Sequence, residues 1–479
     1  MPVNEKKVRA GLPIGFPAGT SEGGRQTGTA AAGYGNGGNL NNSGSNGNDW
    51  SSTPNPDNSN NAWNLNFNSG NFNRDNNNRN NGQSVRPLPA LASDPADGFS
   101  HRLLRDLCRA YMDARRHKRN KPGPLAFEMA QERELVRLRD ELLERRYRPG
   151  VSSCFIIHDP KMREVFAADF RDRVVHHLFY NYTREIFERT FIADSYSCIK
   201  GRGTHAGIRR LRHHILSCSE NYSKPCYVLK LDVKGYFMNI DRTRLLALCR
   251  ATLDKARKSD EWKALDFDFI DDLLVNLCLH DPTGNCRILG DRDEWRKLPP
   301  GKSLFQSRSG CGLPIGNLTS QLFSNVYLGE LDAYVKRELH CRHYGRYVDD
   351  AFVVASSKEE LRGLIQPIRL FLRDCLGLEL NERKVMIRDA YEGVEFLGAF
   401  IKPYRTYIAS RPLRRIRGRL RRLDRREKPS RMQARVNSML GVLSHYDSYF
   451  ERRILTYRAG LQTVGSLSDD CLRFYPHGI

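Results

Sequence analysis

Hydrophobic residues recur along this chain at two spacings, and the switches between them separate helices from strands. Over 99–116 and again over 124–146 the apolar positions follow helical periodicity. The second run sets Leu135, Leu138 and Leu142 on one face and arginines on the others. Phe155-Ile156-Ile157 and the stretch 161–165 read as extended, with Lys161 and Arg163 projecting from the same side. In 227–233, Tyr227, Leu229 and Leu231 share one face of a strand and Asp232 lies on the other. Two more strand-like runs, Tyr344-Gly345-Arg346-Tyr347-Val348 and Ala351-Phe352-Val353-Val354-Ala355, flank Asp349-Asp350, which predicts a hairpin with the two aspartates at its turn. Around 312–321 the chain opens a helix striped by Leu318, Leu322 and Val326. Ser357 and Glu360 form a capping box for a further helix, with Leu361, Leu364, Ile368, Leu372 and Cys375 as its buried stripe and a kink at Pro367. The fold class expected is α+β.

Residues 1–92 break this pattern. They are rich in Asn, Gly and Ser with few apolar positions, Trp50, Trp63, Phe67 and Phe72 being exceptions, and such a segment buries too little surface to offset its ordering entropy. A disordered tail is expected there. The remainder of the 479 residues is long enough for two or three domains. Lys and Arg outnumber Asp and Glu by 77 to 55, a formal charge of +22 that points to a polyanionic partner. The 12 cysteines contain no Cys-x-x-Cys, so free thiols are expected. No apolar run reaches the length of a membrane span, and His340-Cys341-Arg342-His343, lacking a second ligand cluster, reads as structural.

Adjacent like charges on a turn repel, and a magnesium ion, which binds through one or two carboxylates plus substrate phosphates, removes that repulsion. On the hairpin alone a solvated surface turn explains the aspartates better. Asp232, at the end of another strand, changes the balance. Beside Asp349 and Asp350 it supplies enough negative oxygen for two divalent ions about 3.5–4 Å apart, the clamp for an in-line phosphoryl displacement. The chemistry expected is nucleotidyl or phosphodiester transfer.

Asp232-Val233-Lys234-Gly235-Tyr236-Phe237, then Gly312-Leu313-Pro314-Ile315-Gly316-Asn317-Leu318-Thr319-Ser320-Gln321, then Tyr347-Val348-Asp349-Asp350 resemble, in order and spacing, the first three palm motifs of reverse transcriptases. The resemblance extends from about Phe99 to Tyr457. It implies a right-hand polymerase: fingers over 93–225, a palm over 226–403 with an insertion at 253–309, and a basic helical thumb over 404–479, preceded by the tail at 1–92. It implies two Mg2+ ions held by Asp232, Asp349 and Asp350 with the backbone carbonyl of Val233. It also implies that Lys384 protonates the departing pyrophosphate, a general-acid contribution of about 10²–10⁴-fold. Lys161, Arg163 or Arg171 would contact the triphosphate, an ion pair with Asp159 or Asp169 being the plain alternative. Phe237, five residues past Asp232, would exclude a 2′-hydroxyl, with Tyr236 turned to the opposite face if the backbone stays extended. Ser195–204 resembles the second fingers motif, so Lys200 and Arg202 would approach template backbone. Phe396-Leu397-Gly398 resembles the primer-grip hairpin. Over 411–428 a narrow apolar edge of Leu413, Ile416, Leu420 and Leu423 is surrounded by arginines, and Arg414, Arg415, Arg417, Arg421 and Arg422 are expected to grip duplex phosphates.

Within that superfamily, the Ile-Gly-x-x-x-Ser-Gln form of the second motif resembles the enzymes of diversity-generating retroelements. Ile315 stands where most relatives have a glutamine and Gln321 where they have a proline. A lost hydrogen bond at such a site is worth about 1–3 kcal/mol, so low fidelity is expected around Ile315 and Gln321, while Gly312 and Gly316 let the backbone of this nucleotide-binding segment approach a base pair closely. The family resemblance implies an RNA template, a DNA or RNA primer, deoxynucleotides, a small basic barrel-shaped accessory protein, a structured RNA, and a cytoplasmic bacterial, phage or archaeal setting. Residues 60–87 resemble the variable tails that such elements rewrite, so the segment reads equally as a translated template repeat or a plain tail. The alternatives are a group II intron-type or antiphage reverse transcriptase, a mobile intron enzyme with its own nuclease being disfavoured because no zinc-finger endonuclease or nuclease tail is recognisable after the thumb, and a non-catalytic RNA-binding protein retaining the fold.

Overall fold

The computed structural model describes residues 95–477 apart from Pro160 and Pro300 and, N-terminal to these, the backbone of strands within 34–78. The chain divides into two units, 1–93 and 94–479. In the first, β1 (Tyr34–Asn36) pairs with β2 (Asn39–Asn41), and β3 (Gly47–Pro54), β4 (Asn61–Asn68) and β5 (Asn71–Asn78) form an antiparallel sheet in that order. A tail without structure was expected here. The strand signal in β4 is the period-two succession Trp63, Leu65, Phe67, placed opposite Asn76, Arg74 and Phe72 in the register. The other tail positions, including 79–92, lie outside the described residues.

The second unit begins with α1 (Pro95–Arg115), α2 (Pro122–Met129) and α3 (Gln131–Leu143). The single helix expected over 124–146 is two, because Ala130 leaves the helical region at φ −128°. That break lets Phe127 meet Tyr111 and Phe170 while Leu135, Leu138 and Leu142 are buried in the main core. A small sheet follows: β6 (Ser152–Ile157) pairs antiparallel with β7 (Arg163–Ala167) and parallel with β9 (Cys286–Ile288). Two helices, α4 (Phe170–Glu188), capped by the Asp169 carboxylate, and α5 (Thr204–Cys218), lead to the central sheet.

That sheet has the order β10 (Tyr344–Tyr347), β11 (Asp350–Ala355), β8 (Tyr227–Asp232), β12 (Met386–Asp389), all antiparallel. Period-two alternation gives it two apolar faces. Leu229, Leu231, Ala351 and Val353 enter the main core with residues of α9 (Leu318–Ala333) and α10 (Lys358–Leu376). Val228, Phe352 and Val354 meet Ile208, Leu211 and Ile215 of α5, together with β13 (Val394–Phe396) and β14 (Ala399–Lys402). The short α6 (Tyr236–Asn239), α7 (Arg242–Arg257) and α8 (Phe267–Cys278) fill the main-core side. The stretch 253–309 is therefore woven into two layers: α8 lies in the main core and β9 extends the β6–β7 sheet.

Ser357 caps α10 through the N–H groups of Glu359 and Glu360, and the helix runs through Pro367. Its buried stripe is Leu361, Ile368, Leu372 and Leu376. Cys375, expected in that stripe, is exposed, because the i, i+4 succession from Ile368 continues to Leu376. After β15 (Arg405–Ile408), helices α11 (Ser410–Arg421), α12 (Pro429–Leu443) and α13 (Tyr449–Arg458), with the hairpin β16 (Gly465–Leu467) and β17 (Phe474–Pro476), close on their own core. Ile416, Leu420, Leu423, Val436, Leu440 and Phe474 fill it. Among the described residues no helix is long and apolar enough to cross a membrane.

Candidate active site

The β8–β11 register sets Asp350 directly opposite Asp232. Both belong to the face that carries Phe352 and Val228, so their side chains emerge on one side at the end of the sheet. Asp349 precedes β11 in the hairpin turn. The turn residues are Val348 and Asp349, closed by the Tyr347–Asp350 pair, whereas Asp349-Asp350 was expected at the tip. Val348 takes φ +55°. This is the first central position of a two-residue turn, where glycine is usual, and a β-branched residue gives no sequence signal for it.

Burial raises the Asp349 carboxyl to about 6, with Asp350 and Asp232 adding repulsion. Asp350 is raised as well, by burial first and Asp232 second, and Lys230, Lys384 and Lys161 pull it back. Asp232 is 4% exposed. It accepts from Asn381 Nδ2 at 2.9 Å and is paired with the Lys384 ammonium. Burial alone would lower the Lys384 pKa; the hydrogen bond and charge of Asp232, with Asp350 and Asp349 behind it, outweigh burial and raise it. Lys384 therefore stays protonated at neutral pH, the form that can donate a proton. Among the described residues no three His, Cys, Asp or Glu side chains close into a metal cage. Magnesium does not require one, since it binds through one or two carboxylates and keeps other positions for water and phosphate. Mutually repelling, partly dehydrated carboxylates, one already holding an ammonium, fit that ion.

Val233 is buried and bridges Leu380, between the hydrogen bonds Asn381 N to Asp232 O and Lys234 N to Glu379 O. Gly235 then adopts φ +56° and 236–239 form a helical turn, so the extended backbone expected there is absent. Tyr236 is buried, with its hydroxyl donating to Ser324 O at 2.5 Å, whereas Phe237 is half-buried and lies against the cluster of Cys154, Phe166, Met238 and Leu304. Ile315 packs on that same cluster. Its carbonyl accepts from Phe166 N at 2.8 Å, and a Cβ on Gly316 would come within 2.7 Å of Phe166 O, so only glycine fits. Gln321 is exposed on the first turn of α9, which starts at Leu318 and not at Gly312.

Other predicted residues are placed less uniformly. Lys161 lies in a bend before β7 and Arg163 begins that strand, both exposed, because neither 158–159 nor 161–162 is in a strand. Arg171 faces Glu141 and stacks over Tyr147. Asp159 pairs with Arg415 and Arg419 of α11. Arg202 donates to the carbonyls of Ile192 and Ser195 at 2.9 Å, bracing its own loop, while Lys200 is exposed. Arg414, Arg421 and Arg422 are exposed, Arg422 donating to Gly418 O; Arg415 and Arg417 are half-buried.

Sequence reasoning missed five contributing residues. Lys230 sits opposite Phe352 on the carboxylate face. Asn381 orients Asp232. Glu164, 1% exposed, accepts from Trp295 Nε1, Ser303 Oγ and Leu304 N at 2.7, 2.7 and 2.5 Å, fixing β7 to the 295–304 segment. Arg346 and Asp332 form a buried ion pair beneath the turn. Pairings so distant along the chain leave no local pattern.

The family model described as reverse transcriptase (RNA-dependent DNA polymerase) matches residues 158–401, just over half of the chain. The chain belongs to the reverse transcriptase family. It is an RNA-directed DNA polymerase with a mixed helix-and-strand, polymerase-like fold. Protein YkfC of Escherichia coli is 25% identical over 304 residues, covering 55% of this chain and 70% of that protein. The group II intron-encoded protein LtrA of Lactococcus lactis is 22% identical over 279 residues, covering 51% of this reverse transcriptase and 45% of LtrA. Telomerase from Candida albicans, solved with a fragment of telomeric RNA, aligns with TM-score 0.40 and 10% identity over 65% of this chain and 55% of that one.

Proposed function

We propose that this reverse transcriptase copies RNA into DNA at a site in which Asp232, Asp349 and Asp350, helped by the Val233 carbonyl, hold two magnesium ions. The observation that carries the reading is the register of Asp350 opposite Asp232, with Asp349 adjacent in the turn. Magnesium held by these carboxylates would supply Lewis-acid stabilisation of the charge that develops in the phosphoryl transfer. The chain's own residues do the rest. Lys161 and Arg163, exposed just before and at the start of β7, receive the triphosphate. Phe237 rests against the Ile315 cluster and excludes a 2′-hydroxyl. Lys384, protonated and next to Asp232, donates to the departing pyrophosphate. On this reading the β6–β7 region forms the fingers, the central sheet the palm, and α11–α13 a thumb whose arginines hold the template–primer duplex. Primer extension on a defined RNA tests it: extension by the wild type that is abolished by Asp349→Asn supports the site, and extension retained by that variant removes it.

The biological role we infer is error-prone cDNA synthesis in a cytoplasmic diversity-generating retroelement, with a structured template RNA and a small basic barrel-shaped protein as partners. Ile315 and Gln321 support that role, since Ile315 cannot make the hydrogen bond of the glutamine usual at its position and Gln321 lacks the rigidity of the proline usual at its own. The error spectrum of purified enzyme with and without Ile315→Gln decides it; an unchanged spectrum counts against the assignment. Similarity to LtrA favours a second reading, a group II-type reverse transcriptase acting outside such an element. Flanking DNA without paired repeats differing at adenines would favour that one.

A further inference from the structure

Beneath the turn lies a buried ion pair with no role in the chemistry just described. Arg346 on β10 and Asp332 on α9 are each 1% exposed. The Arg346 Nε and Nη2 donate to the two Asp332 oxygens at 2.7 and 2.6 Å, and the Tyr344 hydroxyl donates to Asp332 Oδ1 at 2.7 Å. A guanidinium is a planar fork, and two of its donor directions are thereby fixed. The remaining nitrogen, Nη1, donates to the carbonyl of Val348 at 2.9 Å and lies 3.5 Å from Asn325 Oδ1. Asn325 is itself held by Ser197, donating to its carbonyl at 2.8 Å.

The Val348 carbonyl belongs to the peptide that leads into Asp349. Holding that oxygen fixes ψ of Val348 and φ of Asp349, and so the direction in which the Asp349 side chain leaves the backbone. Restraint is needed because Val348 sits at φ +55°, a conformation that β-branched residues avoid. Left unheld, the turn would relax toward ordinary torsions and carry Asp349 away from Asp232.

We propose that Asp332 and Arg346 are positioning residues for the polymerase reaction: their ion pair grips the Val348–Asp349 peptide and keeps the two turn-side carboxylates aimed at Asp232. This rests on the reading of Asp349 and Asp350 as metal ligands. Because Asp332 and Asn325 ride on α9, which follows the Ile315-Gly316 loop, the same pair ties the turn to the nucleotide-contacting loop.

The test is primer extension by the full chain over a magnesium titration, with thermal melting followed in parallel. Arg346→Lys keeps the charge and loses the fork. It is expected to lower kcat about 10–100-fold, the usual cost of removing a partner that orients a metal ligand. The magnesium midpoint should rise, with a smaller change in deoxynucleotide KM. Adding Val348→Gly should recover part of that loss, since glycine reaches positive φ without restraint. A merely structural pair predicts instead a loss that follows the melting temperature and no recovery by glycine, and that result overturns the proposal. So does a folded Arg346→Lys enzyme with wild-type kcat and magnesium midpoint. If Arg346→Lys fails to fold, Val348→Pro takes its place: it leaves the ion pair intact and forces φ to about −65°. Loss of kcat at an unchanged melting temperature supports the inference, and wild-type kcat overturns it. Asp349→Asn separates the two levels, because extension retained by that variant defeats the metal-site reading, whereas a dead Asp349→Asn beside a fully active Arg346→Lys defeats only the positioning role.

Discussion

At the Val348–Asp349 turn, charge is held by geometry: Asp332, Arg346, Tyr344, Asn381 and Lys384 each meet a named partner, and the sheet register determines which carboxylates face each other. Along α11 the apolar edge is buried, Arg414, Arg419 and Arg421 are exposed, and Arg415 and Arg417 are half-buried. Arg415 and Arg419 both meet the exposed Asp159 across the surface. Buried charge survives only with fitted partners, whereas exposed pairs are worth little and rearrange freely. The first region suits a reaction that tolerates little displacement. The second suits a polyanion whose phosphates pass by without sequence-specific contact.

The largest contrast comes from removing charge at the turn. Asp349→Asn should abolish primer extension yet stabilise the metal-free protein. Its folded pKa, about 6, lies above the unfolded value of 3.8, so the ionised carboxylate costs stability as pH rises through that window, and the full cost is present above pH 6. At pH 7 the gain on substitution is bounded at about 3 kcal/mol. Melting curves should show it shrinking below pH 6 and on adding magnesium.

Next is Asp332→Asn, which leaves a guanidinium buried without its counter-ion and should cost about 3–5 kcal/mol, read from denaturant unfolding. Ile315→Gln should alter misincorporation about tenfold, the worth of one hydrogen bond near the nucleotide, measured by sequencing cDNA. Arg414→Ala and Arg421→Ala should weaken RNA binding evenly across sequences, each lowering the salt-dependence slope by about 1. Asp159→Ala, at the small end, should change stability by about 0–1 kcal/mol. A large effect there would make the α11 contact a specific one and erase the contrast between the regions.

Much of this contrast was readable in the sequence, and its limits have physical causes. Period-two alternation assigned Leu229 and Leu231 to one face and Asp232 to the other, and helical spacing drew the apolar edge of α11, because both signals are local. The turn was misplaced by one residue because a positive φ at Val348 is imposed by tertiary contacts and not by propensity. The helical turn at 236–239 follows from Gly235 reversing the backbone, where strand character had been extrapolated from 227–232. Arg202 is exposed and also donates to the carbonyls of Ile192 and Ser195, a bracing contact that its charge alone did not announce because those carbonyls are placed by the folded loop. Glu164, Asn381 and the Asp332–Arg346 pair gave no signal, since each acts through partners that only the fold brings near.

The most direct measurement counts bound ions. Mn2+ titrated into the enzyme with an RNA–DNA primer-template and a non-extendable nucleotide, followed by electron paramagnetic resonance, should give two bound ions in the wild type and their loss in Asp232→Asn and Asp349→Asn. Undiminished binding in both variants would contradict the account, because the ions would then be held by something other than these carboxylates.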